Sequence, residues 1–188
     1  QLHDGDRVSV YPVFETLDIT PLVRLRPAPL REPAFILDVH LGALARLLRL
    51  LGFDAAYEND LGDAEIVARS LDEHRIILTR DRGLLKRGAV THGTYVRSTD
   101  PVAQAREVVA RFDLARQVRP FTRCLVCNGL LAGVDRRAIV AEVPRRVAEA
   151  HERFWRCQCC GKLYWRGSHT RRLRGKIAAV LDVDRVGT

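Results

Sequence analysis

Two sets of side chains in this sequence sit at spacings that can do chemistry: thiols suited to a soft metal and carboxylates suited to a hard one. The thiols are Cys124-x-x-Cys127 and Cys157-x-x-Cys160, with 29 residues between the pairs. A tetrahedral Zn²⁺ needs four soft ligands, and two CxxC turns deliver them as converging pairs. Four thiolates leave no open position, so the role expected of such a site is structural. The gap exceeds the commonest zinc-finger spacings, so the insert is expected to carry a helix of its own. A fifth cysteine, Cys159, breaks the count and reads as a bystander, while His151 and His169 are the alternative ligands. An odd number of Cys in two tight clusters does not suit a disulfide framework. It suits thiols kept reduced in the cytosol.

The carboxylates end two apolar runs. Phe35-Ile36-Leu37 leads into Asp38, and Ile76-Ile77-Leu78-Thr79-Arg80 leads into Asp81, 43 positions on. Between them a Leu-rich helical stretch, a short apolar run and a second helical stretch give a β-α-β-α-β pattern, which argues for a parallel sheet. Right-handed crossovers would then place Asp38 and Asp81 at the same carboxyl-terminal edge, where open α/β sheets bind ligands. Asp63 opens the second helical stretch, and Asp60 and Glu65 flank it. Each acid has a purely structural alternative. Asp63 can cap its helix, Asp38 the turn that follows it, Asp81 the Arg82-Gly83 turn, and Asp100 the helix that starts at Pro101. For Asp38, Asp81 and Asp63 the functional reading is the stronger one; for Asp60, Glu65 and Asp100 the structural reading is. Arg46, Arg49, Arg80 and Arg82 lie close in sequence and can either neutralise these acids or hold a phosphate. His40 is a lone histidine, more often incidental than catalytic. There is no Gly-rich phosphate loop, G-x-S-x-G elbow or H-E-x-x-H.

The elements that position these groups read as follows. Leu41, Leu44, Leu47, Leu48 and Leu51 form one helical stripe, which Gly52 ends. Arg46 and Arg49 are expected to share a face away from most of that stripe. Strands are expected at Phe53–Tyr57, Arg75–Thr79 and Gly93–Arg97. A helix over 64–73 is expected to bury Ile66, Val67 and Leu71, and one from Pro101 to Phe112 to turn Val102, Ala105, Val108 and Val109 inward. A short helix is expected over 144–153 and a basic, then apolar, docking helix over 170–181. Residues 15–34 carry Pro21, Pro27, Pro29 and Pro33 with no helical period, which reads as a linker. Residues 1–14 contain one strand-like alternation around Val8 and Val10. The chain has no Met and begins inside that strand, so more chain is expected before Gln1.

The net charge is +8, and residues 116–176 carry 15 Lys/Arg against 4 Asp/Glu, a local +11. Such one-sided basicity is the electrostatic footprint of a polyanion binder. Apolar residues make up 47% of the chain, enough for a core, yet no apolar run approaches the length of a membrane-spanning helix.

These motifs together resemble a known family. They are Leu37-Asp38 with the helix through Gly52, Gly62-Asp63-Ala64-Glu65, Leu78-Thr79-Arg80-Asp81, Cys124-x-x-Cys127, and Phe154-Trp155-Arg156-Cys157-x-x-Cys160-Gly161-Lys162-x-Tyr164-Trp165 with Gly167-Ser168-His169. The pattern, over about residues 35–175, is similar to the Mut-seven C-terminal RNase family, a PIN-like nuclease domain with a zinc ribbon. The resemblance implies an α/β fold, a PIN-like parallel sheet flanked by helices, over 35–115. A basic zinc-ribbon module and C-terminal helix would follow over 116–188. It implies Mg²⁺- or Mn²⁺-dependent RNA cleavage in the cytoplasm, with Asp38, Asp63 and Asp81 as metal ligands and Arg46 or Arg80 offsetting phosphoryl charge. The fourth carboxylate common in PIN-type nucleases has no evident place. Residues 1–14 are similar to the last strand of a ubiquitin-like β-grasp domain, as some bacterial members carry. RNA is the expected partner, with tRNA or the ribosome as candidates. The competing class is an RNA- or ribosome-binding protein with a degenerate nuclease site. Under the nuclease reading, Asp38→Asn and Asp81→Asn are both expected to stop cleavage and leave folding intact.

Overall fold

In the computed structural model, which describes residues 33–181, the apolar run before Asp38 forms strand β1 (Ala34–Leu37), and Phe35, Ile36 and Leu37 are all fully buried. A strand apolar on both faces must be covered on both, as in a parallel sheet between helix layers. The chain continues through a 3-10 turn (Val39–Leu41), α1 (Gly42–Leu51), β2 (Asp54–Ala56), α2 (Asp63–Asp72), β3 (Ile76–Thr79), α3 (Arg82–Leu85), β4 (Gly93–Tyr95) and α4 (Pro101–Arg111). The four strands are parallel in the order β2-β1-β3-β4. After β2 the chain passes back across β1 to reach β3, so the strand order reverses between β1 and β3. That is the topological switch point at which such sheets bind ligands. The expected β-grasp remnant and most of the expected Pro-rich linker lie outside the described residues.

One face of the sheet packs Phe35, Leu37 and Leu78 against α1 and α4, and the other packs Ile36 and Ile77 against Ile66 of α2 and Leu84 of α3. The expected Leu stripe of α1 is buried throughout. Gly52 ends the helix at φ 99°, with its N–H on the Arg49 carbonyl and the Phe53 N–H on the Leu48 carbonyl. That is the paired closure a left-handed residue allows. A Cβ there would also lie 2.2 Å from the Arg119 carbonyl oxygen.

Two expectations fail locally. Leu71 is 40% exposed, while Ser70 is buried and bonds the Arg75 carbonyl at 2.6 Å. One residue is about 100° of helix, enough to swing Leu71 out of the Ile66–Val67–Ser70 stripe. Arg49 does not share an outward face with Arg46. It is 3% exposed, because α1 is covered on the side away from the sheet as well.

That second cover is the cysteine-bearing part of the chain. β5 (Leu131–Val134), β6 (Phe154–Cys157) and β7 (Leu163–Trp165) form a three-stranded antiparallel sheet in the order β5-β6-β7, and α5 (Arg136–Ile139) and α6 (Arg145–Ala150) lie between β5 and β6 in the chain. Its own small core is Ile139, Val143, Ala148 and Phe154. The 29-residue gap between the cysteine pairs thus holds two short helices. α7 (His169–Leu181) then returns to the main core, burying Ile177 and Val180 against α4 and α1.

Arg49 and Asn128 fasten the first cysteine loop to the parallel sheet. The Arg49 guanidinium donates to the Ala55 carbonyl at 2.8 Å and to the Val126 carbonyl at 2.7 Å, joining α1, β2 and the loop through one side chain. The Asn128 amide accepts from Ala55 N–H at 3.1 Å and donates to Asp54 at 2.8 Å. It thereby occupies the free edge of β2, the position most open to unwanted pairing. Arg75 and Arg123 also reach Asp54. Burial raises the Asp54 carboxyl, but its bonds from Arg75 and Asn128 and the nearby Arg charges hold it below the usual range. Arg49→Met is expected to destabilise the protein by about 3 kcal/mol, since it strands several buried carbonyls. Lys is not expected to rescue it, because an ammonium lacks the planar fork that reaches both β2 and the loop. Thermal unfolding of the two variants measures this, and a wild-type melting temperature in Arg49→Met would refute it.

Candidate metal centre and acidic edge

Asp38 follows β1 directly and is 4% exposed. Its carboxylate takes donors from both strands that flank the switch point. Oδ1 accepts from His40 N–H at 2.9 Å, and Oδ2 accepts from Arg80 N–H at 3.0 Å and from the Thr79 hydroxyl. A carboxylate has about four acceptor positions, so one remains unused. Thr79 Oγ1 also accepts from Asp81 N–H at 2.8 Å. The end of β3 is therefore folded around the Asp38 carboxylate, and Asp81 is placed at the same edge by that wrapping. Asp81 is exposed and caps α3 by accepting from Gly83 N–H at 2.6 Å. Asp63 is the first residue of α2, with Gly62 as the cap, so it does not cap its own helix. It pairs instead with Arg87 at 2.8 Å.

The basic candidates divide. Arg80 donates to the Ser98 carbonyl at 2.7 Å, which holds its side chain near the edge. Arg82 lies 5.2 Å from the Tyr95 ring centroid. Arg46 is exposed and lines a groove with residues of α7.

The four thiols converge. The Sγ atoms of Cys124, Cys127, Cys157 and Cys160 all lie within 4.8 Å of one another, with Cys124–Cys160 at 3.7 Å and Cys127–Cys157 at 3.4 Å. A disulfide would require about 2.05 Å. Zn–S bonds of about 2.3 Å in a tetrahedron put sulfurs about 3.8 Å apart. The donor set and its spacing therefore suit a metal such as zinc. Neither His151 nor His169 belongs to the group, and Cys159 is exposed outside it. The Cys159 and Cys160 N–H groups point to Cys157 Sγ at 3.4 and 3.5 Å. Tyr164 Oη lies 3.1 Å from Cys124 Sγ and accepts from Leu125 N–H at 3.1 Å. Burial opposes ionisation of Cys124, but Tyr164 and the Cys127 and Val126 N–H groups bring it down to about 6. Cys160 is pushed up to about 12. The Lys162 N–H favours its thiolate, yet the neighbouring Cys127, Cys157 and Cys124 thiols outweigh that bond. Four crowded sulfurs cannot all ionise without a cation among them. Among the described residues these thiols are the one group of three or more ligating side chains that converges so closely. Asp38, Asp63 and Asp81 are not such a group, each being held by a partner of its own.

The Mut7-C RNAse domain model matches residues 33–177, which includes both sheets and most of α7. This chain belongs to the Mut7-C RNAse domain family. No curated protein and no solved structure matches it. The Mut7-C match treats the acidic edge and the thiol cluster as parts of one unit, in keeping with the Arg49 and Asn128 bridges between them. Membership implies a nuclease-like function with RNA as the substrate. No helix among the described residues is long and apolar enough to cross a membrane.

The geometry revises one expectation for this Mut7-C edge. In Asp38→Asn one oxygen becomes an NH₂ that must face N–H or O–H donors. Leaving buried donors unmatched costs about 1–3 kcal/mol. Asp38→Asn is therefore expected to unfold at lower denaturant than wild type, whereas shape alone suggests no change. Urea unfolding followed by circular dichroism checks it, and coincident curves would show that Asp38 is not held as described. Thr79 is fully buried and, being uncharged, does not stand out among the candidate side chains of the sequence. Its position two residues before Asp81, on the strand end that meets Asp38, was the available signal.

Proposed function

We propose that this chain is a metal-dependent ribonuclease that hydrolyses RNA phosphodiester bonds at the Asp38–Asp81 edge. In this reading the zinc ribbon stabilises the fold and, through its first cysteine loop and the C-terminal helix α7 that follows it, helps dock the RNA. The observation that supports the reading is the wrapping of the β3 end around the Asp38 carboxylate, with the Asp81 backbone N–H tied to Thr79, which itself bonds Asp38. Asp38, Asp63 and Asp81 would hold Mg²⁺ or Mn²⁺. Each keeps acceptor capacity beyond the bonds described, and hard cations take oxygen ligands. When bound, such a cation supplies charge for the scissile phosphate and lowers the pKa of water.

The chain's own groups have separable tasks. Asp38 is immobile, tied on both oxygens, and sets the charge of the edge. Asp81 has one backbone bond and an oxygen free to turn toward an incoming phosphate or water. Arg80 is held by Ser98 and offsets negative charge building on phosphoryl oxygens. Cleavage of labelled RNA by metal-depleted protein, before and after Mg²⁺ or Mn²⁺ is added, tests the assignment. Metal-independent cleavage would overturn it.

A second reading is an RNA- or ribosome-binding protein of the cytoplasm, tRNA included among its ligands, with a degenerate nuclease site. The Asp63–Arg87 pair favours it, since an arginine there neutralises one of the three acids. Metal binding would have to displace that arginine.

A further inference from the structure

Arg46 leads away from the acids to a groove that the ribonuclease reading does not use. The groove lies between α1 and α7, with a volume of about 470 Å³. Its basic groups are Arg46, His169, Arg172 and Lys176, and its floor includes Leu47, Leu50 and Leu173. Leu125 of the first cysteine loop and Pro101, the first residue of α4, also line it.

The charges here are unspent. The ion pairs among the described residues employ Arg69, Arg75, Arg87, Arg123, Arg145 and Arg156, and none employs Arg46, Arg172 or Lys176. α7 contains no acidic residue to offset its own basic ones. Outside this helix, Arg145 pairs with Glu149, Arg156 with Glu142 and Arg123 with Asp54. In the α1–α7 groove, Arg46, Arg172 and Lys176, which join no described ion pair, line one concavity together.

The groove also has a direction. α1 and α4 both begin at the carboxyl edge of the parallel sheet. Ala43 and Pro101, at their starts, line the groove, and Ala43 is five residues from Asp38. A strand lying along α1 is thus led toward the acids. Basic side chains above an apolar floor match a single nucleic-acid strand, whose phosphates alternate with apolar base and sugar faces. A rigid duplex would reach only the rim.

We propose that the α1–α7 groove is a binding site for the phosphodiester backbone of single-stranded RNA, with Arg46, Arg172 and Lys176 as its phosphate contacts. The proposal rests on RNA being the substrate, and it assigns Arg46 to binding rather than to the transition state.

The test uses the full chain, a 2′-O-methyl oligouridylate that cannot be cleaved, and fluorescence anisotropy across a salt series. Arg46→Gln/Arg172→Gln/Lys176→Gln is expected to bind about tenfold more weakly or worse and to flatten the log–log salt slope by about 2, three charges at about 0.7 each. Arg136→Gln/Arg137→Gln/Arg146→Gln, on α5 and α6, is expected to bind as wild type. In cleavage of the unmodified RNA the groove variant should raise KM and leave kcat near wild type. Equal affinity of the groove variant and wild type would overturn the groove, and so would loss confined to the α5–α6 variant. Should the groove variant fold poorly, photocrosslinking of 4-thiouridine RNA to wild type decides instead. Adducts within 43–50 and 169–176 support the groove, and adducts confined to other segments overturn it. Groove binding by a protein whose cleavage ignores Asp81 would sink the ribonuclease reading while sparing this one.

Discussion

Asp81→Asn is expected to lower the single-turnover rate of RNA cleavage by at least about 100-fold, the scale seen when one preorganised electrostatic contact to the reacting group is lost. RNA affinity and melting temperature should stay near wild type. The reason is local. Asp81 is exposed, and its one described side-chain bond is the acceptor bond from Gly83 N–H. The amide oxygen of Asn can accept that same bond, so the cap on α3 survives. The other oxygen becomes an NH₂ in a position open to water, which costs the fold little. What disappears is a negative charge and a hard ligand at the switch point. Asp38 offers no such clean test, because its amide variant disturbs a buried three-donor site before any chemistry is measured. Cleavage by wild type should also require added Mg²⁺ or Mn²⁺, while zinc bound by the thiols alone should not support it. Equal single-turnover rates for wild type and Asp81→Asn would make the carboxylate a cap only, and the binding-protein reading would replace the enzyme.

The parts of this edge that could be read from sequence share one property: their signal is local. Apolar runs ending in Asp38 and Asp81 gave the strand ends and their parallel sense, and both aspartates do cap the turns that follow them. Asp100 likewise caps α4 through Ala103 N–H. The two CxxC pairs announced a four-thiol group without help from the rest of the chain. What escaped is set by tertiary cover. Arg49 sits at a position that helical periodicity assigns to solvent, and only the arrival of a cysteine loop more than seventy residues later buries it. Burial lowers the pKa of its guanidinium, although the nearby Cys124, Cys127 and Asp54 charges favour its protonated form. Asn128 carries no local signal of its role, and it is the left-handed backbone there, φ 71°, that presents its amide to the edge of β2. Arg46 was read with the carboxylates because it is near them in sequence. The direction in which it leaves α1 depends on α7, which no pattern within α1 encodes.

One Zn²⁺ per chain is expected in the purified protein, and its loss is expected to be the most damaging single event for the fold of residues 120–165. Structural zinc in small thiolate modules binds with an apparent free energy of about 10–16 kcal/mol, comparable to or above the whole stability of an ordinary domain. The core of the ribbon is only Ile139, Val143, Ala148 and Phe154 with their neighbours, too few side chains to hold three short strands alone. Without the metal, the four thiols cannot all ionise: Cys124 is favoured as thiolate, while Cys160 is pushed up by the thiols beside it. The knuckles then lose the centre they are folded around. Cys124→Ser and Cys160→Ser should therefore lose zinc and expose residues 120–165 to hydrogen exchange. Cys159→Ser, outside the cluster, should keep both metal and protection. The damage should not stop at the ribbon, because Arg49 and Asn128 bind the first loop to α1 and β2. Freeing that loop uncovers a buried guanidinium and the edge of β2, so the parallel sheet should melt at a lower temperature, though as a separate transition carried by its own larger core. Acid should act in the same direction as mutation, since protons compete with zinc for the thiolates and affinity falls as pH falls. Elemental analysis of the three serine variants and of wild type settles the ligand set: full zinc in Cys160→Ser, or its loss in Cys159→Ser, would require a different fourth ligand.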